Sequence, residues 1–346
     1  MRYKILGRTG IRVSEICLGT MSFGDAWGFG ADEAESRRIM DAFAEAGGNF
    51  LDTANKYHEG QTEEIVGRHI AADRARWVLA TKYTLSMRGG DPNGGGNSRK
   101  NMRQAVDASL RRLGTDYIDL YWVHAWDFTT AVDEVMRGLD DLVRAGKVLA
   151  VGLSDAPAWV AAQANTIAEL RGWTPFSALQ VEYSLIERTV ERELLPMADA
   201  FGMTSTVWAP LGGGVLTGKH TRCEAIDTKR NNDERLTEGN LAIAREVDCV
   251  ADALGRTSAQ VAVNWARQGS PSIVPIVGAR KVSQIQDLLG GLEFALDDAH
   301  LAQLNEVSAI DLGFPQRFLG NARIRQVIHG ERADQIDLPR MPGPAR

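Results

Sequence analysis

Residues 116–155 read DYIDLYWVHAWDFTTAVDEVMRGLDDLVRAGKVLAVGLSD. The first run, Asp116 to His124, is short, rich in β-branched and aromatic side chains, and ends on a polar residue. It has the length and near-continuous apolar character of a strand buried on both faces. After the turn residues, Val132, Val135, Met136, Leu139, Leu142 and Val143 recur at a period near 3.6 and make one apolar helical stripe. Gly146 supplies a C-cap, and VLAVGLSD from Val148 is the next buried strand. Strand, helix and strand in this order form a parallel crossover unit, because parallel neighbours need a long connection.

The same unit repeats on either side. Upstream lie SEICLGT from Ser14, NFLDTA from Asn49 and WVLATK from Trp77; downstream lie SALQVEYS from Ser177, TSTVWAP from Thr204 and SIVPIVG from Ser272. Before the fourth strand, Ser98 is the N-cap of a helix whose buried face carries Met102, Val106, Leu110 and Leu113. Eight strand-helix units predict a closed (β/α)8 TIM barrel. The competitor, an open doubly wound sheet, usually carries a glycine-rich turn after its first strand, and LGTMSFG lacks that spacing.

No linker divides the chain, so the expectation is one domain over residues 1–346, with the barrel at about 14–310 and a C-terminal extension at about 311–346. Three segments break the regular spacing: GGDPNGGGNS after the third strand, the stretch through CEAIDTKRNNDERLTEG after the seventh, and the tail from about Asp311. Loops that follow barrel strands build the catalytic face, so long ones there read as functional. The last stretch, DLPRMPGPAR, is expected to be poorly ordered.

Composition narrows the function. With 44% hydrophobic and 24% charged residues the chain can bury a large core, and a formal charge of −6 gives no electrostatic reason to bind nucleic acid or anionic membrane. No apolar run reaches the ~18 residues of a membrane span, and MRYKILGRTG lacks a secretory signal. Cys17, Cys223 and Cys249 match neither a disulfide framework nor a metal-binding spacing, so a reducing cytoplasm and no metal are expected. Nothing in the sequence specifies an oligomeric state.

Four polar residues stand at or just beyond three successive strand ends: Asp52 and Tyr57 in LDTANKY, Lys82 in ATK, His124 in WVH. Singly, each has a structural alternative: a helix cap, a loop aromatic, two satisfied rim residues. Jointly, neighbouring strands of a barrel bring them to one small region. A phenol is a reluctant acid, with a reference pKa near 10, and a nearby ammonium can lower that value by roughly 1–3. Lys82 can supply the charge, Asp52 can hold it, and His124 can orient a substrate oxygen. The combination suits proton donation to a carbonyl, a contribution of ~10²–10⁴ in rate.

This constellation resembles the aldo-keto reductases, and the resemblance runs from LGRTGIRVSEICLGTMSFG through DTANKY, WAPLGGGVLTGK and PIVGARKVSQIQDLLG to the helix near Leu304. It implies a catalytic tetrad of Asp52, Tyr57, Lys82 and His124. It also implies NADP(H) as cofactor, a small-molecule carbonyl or alcohol as partner, and an N-terminal hairpin at Tyr3–Val13 over the closed end. By the same resemblance, Thr20, Met21 and Asp52 lie by the nicotinamide ribose, and Ser154, Asp155 and Gln180 hold the carboxamide. Trp208 stacks under the ring; Leu211, Gly213 and Lys219 form the pyrophosphate loop; Arg280, Gln284 and Asp287 form the adenosine end. Three positions depart from the commoner pattern: Asp155 where Asn is frequent, Ala209 where Ser is, and Leu288 where Asn often meets the adenine.

Arg280 also draws attention without the resemblance, because it lies just past the eighth strand, where barrels commonly build a phosphate site; Lys281 next door, or Lys229 and Arg230 in the long loop, are alternatives that could share or assume the role. Phe23, Trp27 and Trp126 are expected to line an aromatic mouth, with Phe314 or Phe318 of the tail contributing. Two other function classes compete. Gly213, Gly218 and Lys219 match a phosphate-binding loop, but His220 stands where that motif needs a hydroxyl for magnesium. An NADPH-binding regulatory subunit with little turnover is the other alternative, and the complete tetrad favours turnover over it.

Overall fold

Residues 1–222 and 233–336 are described by a computed structural model. Cys223, Lys229, Arg230 and the stretch DLPRMPGPAR therefore lie outside the described residues. An antiparallel hairpin, β1 (Tyr3–Ile5) and β2 (Arg12–Ser14), precedes eight parallel strands. These are β3 (Cys17–Gly19), β4 (Phe50–Asp52), β5 (Val78–Tyr83), β6 (Ile118–Val123), β7 (Val148–Ser154), β8 (Phe176–Glu182), β9 (Thr204–Trp208) and β10 (Ile273–Gly278). They close in sequence order, β10 pairing with β3, so the (β/α)8 barrel read from the sequence is present.

Helices separate the strands and form the outer layer. Helix Arg99–Leu113 starts at Ser98, whose side chain accepts from the Asn101 N–H. Helix Val132–Arg144 buries Val132, Val135, Met136, Leu139 and Leu142 of the expected stripe, with Val143 partly buried against the core. Gly146 then adopts φ +72, and the bonds Gly146 N–H to Val143 O and Lys147 N–H to Leu142 O close a Schellman turn. That left-handed residue reverses the chain into β7. No described helix is long and apolar enough to cross a membrane.

Side-chain alternation decides what the barrel encloses. Val78 and Ala80 of β5, Leu120 and Trp122 of β6, Ala150 of β7, Ala178 of β8, and Val274 and Ile276 of β10 share one buried cluster with Cys17 and Phe50. Leu6 and Val13 of the hairpin complete it, which plugs the N-terminal end. The plug is fastened by the Gly7 N–H to Thr204 Oγ1 at 2.7 Å and Lys4 Nζ to the Ile273 carbonyl at 2.5 Å. Gly7 sits at φ +53, where a Cβ would stand 2.0 Å from the Ser177 carbonyl oxygen. Two more residues along the same face of each strand, polar groups replace the apolar ones: Asp52 follows Phe50, Lys82 follows Ala80, His124 follows Trp122, Gln180 follows Ala178. The period of two thus aims four polar side chains into the C-terminal end.

Trp122 is the largest fully buried side chain, and its neighbour across the β6–β7 ladder is Gly152. A Cβ on Gly152 would stand 2.3 Å from Cε3 of that indole. Gly152→Ala should therefore destabilise the protein by about 1–3 kcal/mol through overpacking, whereas Gly10→Ala, with nothing within 4 Å, should not. Urea denaturation midpoints of the two variants check this, and equal midpoints would refute the packing argument.

Candidate functional site

Lys82 is completely buried at the end of β5. Its Nζ donates to Asp52 Oδ2 at 2.5 Å, to the Thr53 carbonyl at 3.1 Å and to the Tyr57 hydroxyl at 3.0 Å. An ammonium has three protons, and these three acceptors use all of them. The other carboxylate oxygen, Asp52 Oδ1, accepts from Gln180 Nε2 at 3.0 Å. The Asp52 carbonyl accepts both the N–H and the hydroxyl of Thr20. Four strands, β3, β4, β5 and β8, thus meet on one charge pair. Removing one member of such a buried pair typically costs about 3–5 kcal/mol, because the other is left uncompensated.

Tyr57 stands on the turn after β4, half-buried, and its ring meets the His124 imidazole edge-on at 6.0 Å between centroids. The sequence led to the expectation that Lys82 lowers the acidity constant of this phenol. Its ammonium does act in that direction, but burial is the larger effect and holds Tyr57 above the ordinary phenol value. Burial likewise disfavours the charged Lys82, yet Asp52 and Tyr57 outweigh it and keep the ammonium protonated well above neutrality. His124 is pushed down to about 3, first by burial and then by the Lys82 charge, so its imidazole is neutral at physiological pH. Its Nδ1 is buried with no hydrogen-bond partner among the described residues. The site therefore combines a protonated phenol, a fixed ammonium against it, and a neutral imidazole.

The other residues singled out in the sequence fall on the same end. Ser154, the last residue of β7, is buried, and Asp155 directly after it adopts φ +43. Asn and Asp enter that left-handed region more readily than most residues, so the Asp that replaces the commoner Asn suits the backbone. Trp208 ends β9 with its indole half-exposed and Nε1 3.4 Å from Asp155 Oδ1. After Leu211, Gly212, Gly213 and Gly214 take φ +57, +69 and +102, and a Cβ on Gly214 would meet Lys219 Nζ at 2.9 Å. This is a backbone cradle with an ammonium over it.

At the far edge, Gln284 Oε1 accepts the Arg280 N–H at 2.8 Å, and the Arg280 guanidinium pairs with no carboxylate among the described residues. The Asp287 carboxylate is held by Thr257 Oγ1 and Gln260 Nε2, so it braces helix Ser258–Gln268. Leu288 is buried in the main core, which removes it from any surface. Met21 offers its carbonyl to His58 at 3.1 Å. Among the described residues no group of three or more His, Cys, Asp and Glu could hold a metal ion.

The aromatic residues separate. Trp27 approaches Tyr57 edge-on at 6.4 Å, and Trp126 is buried beside Asp155, its N–H on that residue's carbonyl. Phe23 is fully buried in the main core and belongs to packing, not to an open wall. Its alternation along the loop gave no warning, because loops have no period. Phe314 and Phe318 are exposed in the extension, their rings tilted at 49° and 6.3 Å apart. Two aromatics were missed: Phe29, which joins Trp27 at 6.1 Å, and Phe128, 70% exposed at φ +56 after β6. His58, directly after Tyr57 and buried, was also missed; only adjacency in DTANKYHEG marked it.

Comparison with known proteins yields a family model, the aldo/keto reductase family, that matches residues 15–309. The chain is 38% identical to norsolorinic acid reductase A of Aspergillus parasiticus over 320 residues, covering 90% of this chain and 81% of that protein. It is 36% identical to an aryl-alcohol dehydrogenase [NADP(+)] of Phanerodontia chrysosporium over 348 residues, covering 92% of this chain and 89% of that one.

The electrostatics carry a direct check. A histidine lowered to about 3 should show no imidazole titration between about pH 9 and about pH 4, whereas an ordinary one titrates near 6.5. NMR of ring-labelled protein, with His124 assigned by His124→Asn, measures this. A midpoint near the ordinary value would mean the ring is solvated and free of the Lys82 field.

Proposed function

We propose, from the premise that the chain belongs to the aldo/keto reductase family, that it reduces aromatic aldehydes and ketones with NADPH, and oxidises the alcohols in reverse. The observation that carries this reading is the 3.0 Å contact between a fully buried ammonium and the Tyr57 hydroxyl. We take residues 1–346 to act as one catalytic domain.

The residues present fit a dinucleotide. The left-handed run at Gly212, Gly213 and Gly214 leaves the backbone bare for a phosphate to approach, and a Cβ there would intrude on Lys219. Leu211, Gly213 and Lys219 would hold the pyrophosphate, and Trp208, Asp155, Ser154, Gln180, Thr20 and Met21 the nicotinamide end. Arg280, Gln284 and Asp287 would hold the adenosine end, with Asp287 already committed to its helix brace. When bound, the cofactor supplies the hydride that reaches the carbonyl carbon.

The chain's own part is proton transfer and orientation. Tyr57 gives its hydroxyl proton to the substrate oxygen, which becomes the alcohol, and Lys82 stabilises the phenolate that remains. Because burial keeps the phenol protonated in the resting site, the donor is fully loaded at neutral pH. Neutral His124 can hydrogen-bond the same oxygen without a competing charge. Asp52 keeps the ammonium in place. Trp27 and Trp126 provide flat apolar walls, which suits aryl substrates, as does the name of the similar aryl-alcohol dehydrogenase.

Purified protein should consume NADPH, followed by its absorbance, with a reactive aryl aldehyde. Tyr57→Phe keeps the ring but removes the proton, so turnover should fall by ~10² or more while cofactor binding survives. Near-normal turnover of Tyr57→Phe, with chemistry rate-limiting, would overturn the assignment.

The cofactor choice has its own test. A guanidinium meets a phosphate with charge-assisted hydrogen bonds, each contributing roughly 1.5–3 kcal/mol. Arg280→Ala should weaken NADPH binding by about one to two decades and leave NADH binding little changed. Titrations of both cofactors against both proteins decide it; an equal loss for the two would show that Arg280 does not read the extra phosphate.

A further inference from the structure

One buried titratable side chain outside the Lys82 cluster is tied to the loop that overhangs the site. His58 is 1% exposed and adopts φ +48. Its Nδ1 lies 3.3 Å from the Trp27 N–H and its Nε2 3.1 Å from the Met21 carbonyl oxygen. An amide N–H only donates and a carbonyl only accepts, so the two contacts require one tautomer, with the proton on Nε2. The ring also stacks on Trp27, at 4.7 Å and 24°, and meets Phe29 edge-on at 5.5 Å.

Gln61 extends the same hold. Its Oε1 accepts the N–H groups of Asp25 and Ala26 at 3.0 and 3.2 Å, and its Nε2 donates to Asp25 Oδ1 at 2.9 Å. Three successive loop amides, at positions 25, 26 and 27, are therefore bound by side chains of one neighbouring turn. The loop's base is closed by the Phe23–Ala31 bridge and by bonds between Gly24 and Ala31 and between Ala31 and Ser22. There is no slack at the contact: a Cβ on Gly24 would sit 2.5 Å from Gln61 Oε1 and 3.1 Å from His58 Cγ.

We propose that His58, in its neutral form only, is a positioning residue that latches residues 21–31 and so sets where Trp27 stands beside Tyr57. The proposal rests on the function above for the meaning of Trp27 as a substrate wall, but the latch can be observed without turnover. A protonated imidazole carries two N–H groups and no acceptor, so Nδ1–H would confront the Trp27 N–H and that bond would be lost. The charged groups around the ring are Asp25 on the loop, Lys56 and Glu59 on its own turn, and the Arg112–Glu63 pair packed at Gly60. Lys56 and Glu59 pair with each other, and Glu59 also accepts from the Trp27 indole. Burial outweighs both the hydrogen bond to the Met21 carbonyl and the attraction of Asp25, and holds His58 below the ordinary imidazole value. The latch is therefore complete above about pH 6.5 and weakens progressively as pH falls below it.

Hydrogen exchange of the peptide spanning 21–31 in the free protein, corrected for intrinsic rates, tests this at about pH 7.5 and about pH 5. In the parent, exchange should rise only at the acid pH. His58→Phe keeps a ring but loses both bonds, so exchange should be high at both. His58→Asn tolerates the left-handed backbone and keeps an acceptor, so protection should return and its pH dependence vanish. Unchanged exchange of the β6 peptide verifies that each variant folds; if His58→Phe does not, the parent and His58→Asn decide. Parent protection that ignores pH, or a folded His58→Phe as protected as the parent, would overturn the latch. In turnover, His58→Phe should raise KM for the aryl aldehyde about tenfold with kcat nearly unchanged, the size of losing the one bond that holds the Trp27 amide. Absence of any turnover alongside the expected exchange pattern would sink the proposed function and leave the latch standing.

Discussion

A fully buried ammonium at the end of β5 is the constraint around which the C-terminal end of the barrel is arranged. A lone charge of this kind would cost several kcal/mol to bury, so it persists only with a counter-charge and a full set of acceptors. Asp52 supplies the charge from β4, and Thr53 and Tyr57 the remaining acceptors from the chain that follows it. Gln180 reaches Asp52 from β8 across the barrel. None of these partners lies on β5 itself. The pair forms where β4 and β5 lie side by side, and the Gln180 bond from the opposite strand is added only when the barrel closes, which joins the electrostatics of the site to the topology of the fold.

The two ends of the barrel answer different needs. The N-terminal end is sealed by the hairpin through Leu6 and Val13, and hydrogen bonds such as Gly7 to Thr204 and Lys4 to Ile273 tie that hairpin to the barrel. The C-terminal end holds most of the unusual backbone. The residue immediately after β5, β7 and β9, namely Thr84, Asp155 and Ala209, adopts φ +93, +43 and +53. Such conformations cost on the order of 1–3 kcal/mol each and persist where surrounding contacts over-determine them. They bend the chain sharply off the strand, which brings the loop backbone close to the barrel mouth. His58 and Glu59 after β4, and Phe128 after β6, continue the pattern. Strained backbone and the charged site are gathered at one face, and an apolar plug closes the other.

Much of the fold was legible because its signals are local. Near-continuous apolar runs such as IDLYWV and VLAVGLS need only their own residues to announce a strand buried on both faces. The stripe from Val132 to Val143 and the turn at Gly146 announce a helix and its end in the same way. The polar residues at strand ends were also legible, since the period of two carries the inner face from Ala80 to Lys82 and from Trp122 to His124. Loop residues have no such period. Phe23 and Trp27 look alike in sequence, yet one fills the core and the other stands by Tyr57.

What the sequence determined by itself is therefore the barrel, the order of its strands, and the identity of the polar groups at their ends. Only the tertiary structure decided how those groups behave. That burial outweighs Lys82 at Tyr57, and that His124 is neutral, depend on desolvation by residues distant along the chain. Leu288 in the core and Asp287 braced against Thr257 and Gln260 are likewise settled by packing between helices. His58 is the clearest case: only its place beside Tyr57 marks it in the sequence, and its role comes from two backbone groups more than thirty residues earlier, at Met21 and Trp27. Periodicity is a property of neighbouring residues, whereas burial, charge pairing and tautomer choice exist only once distant segments touch.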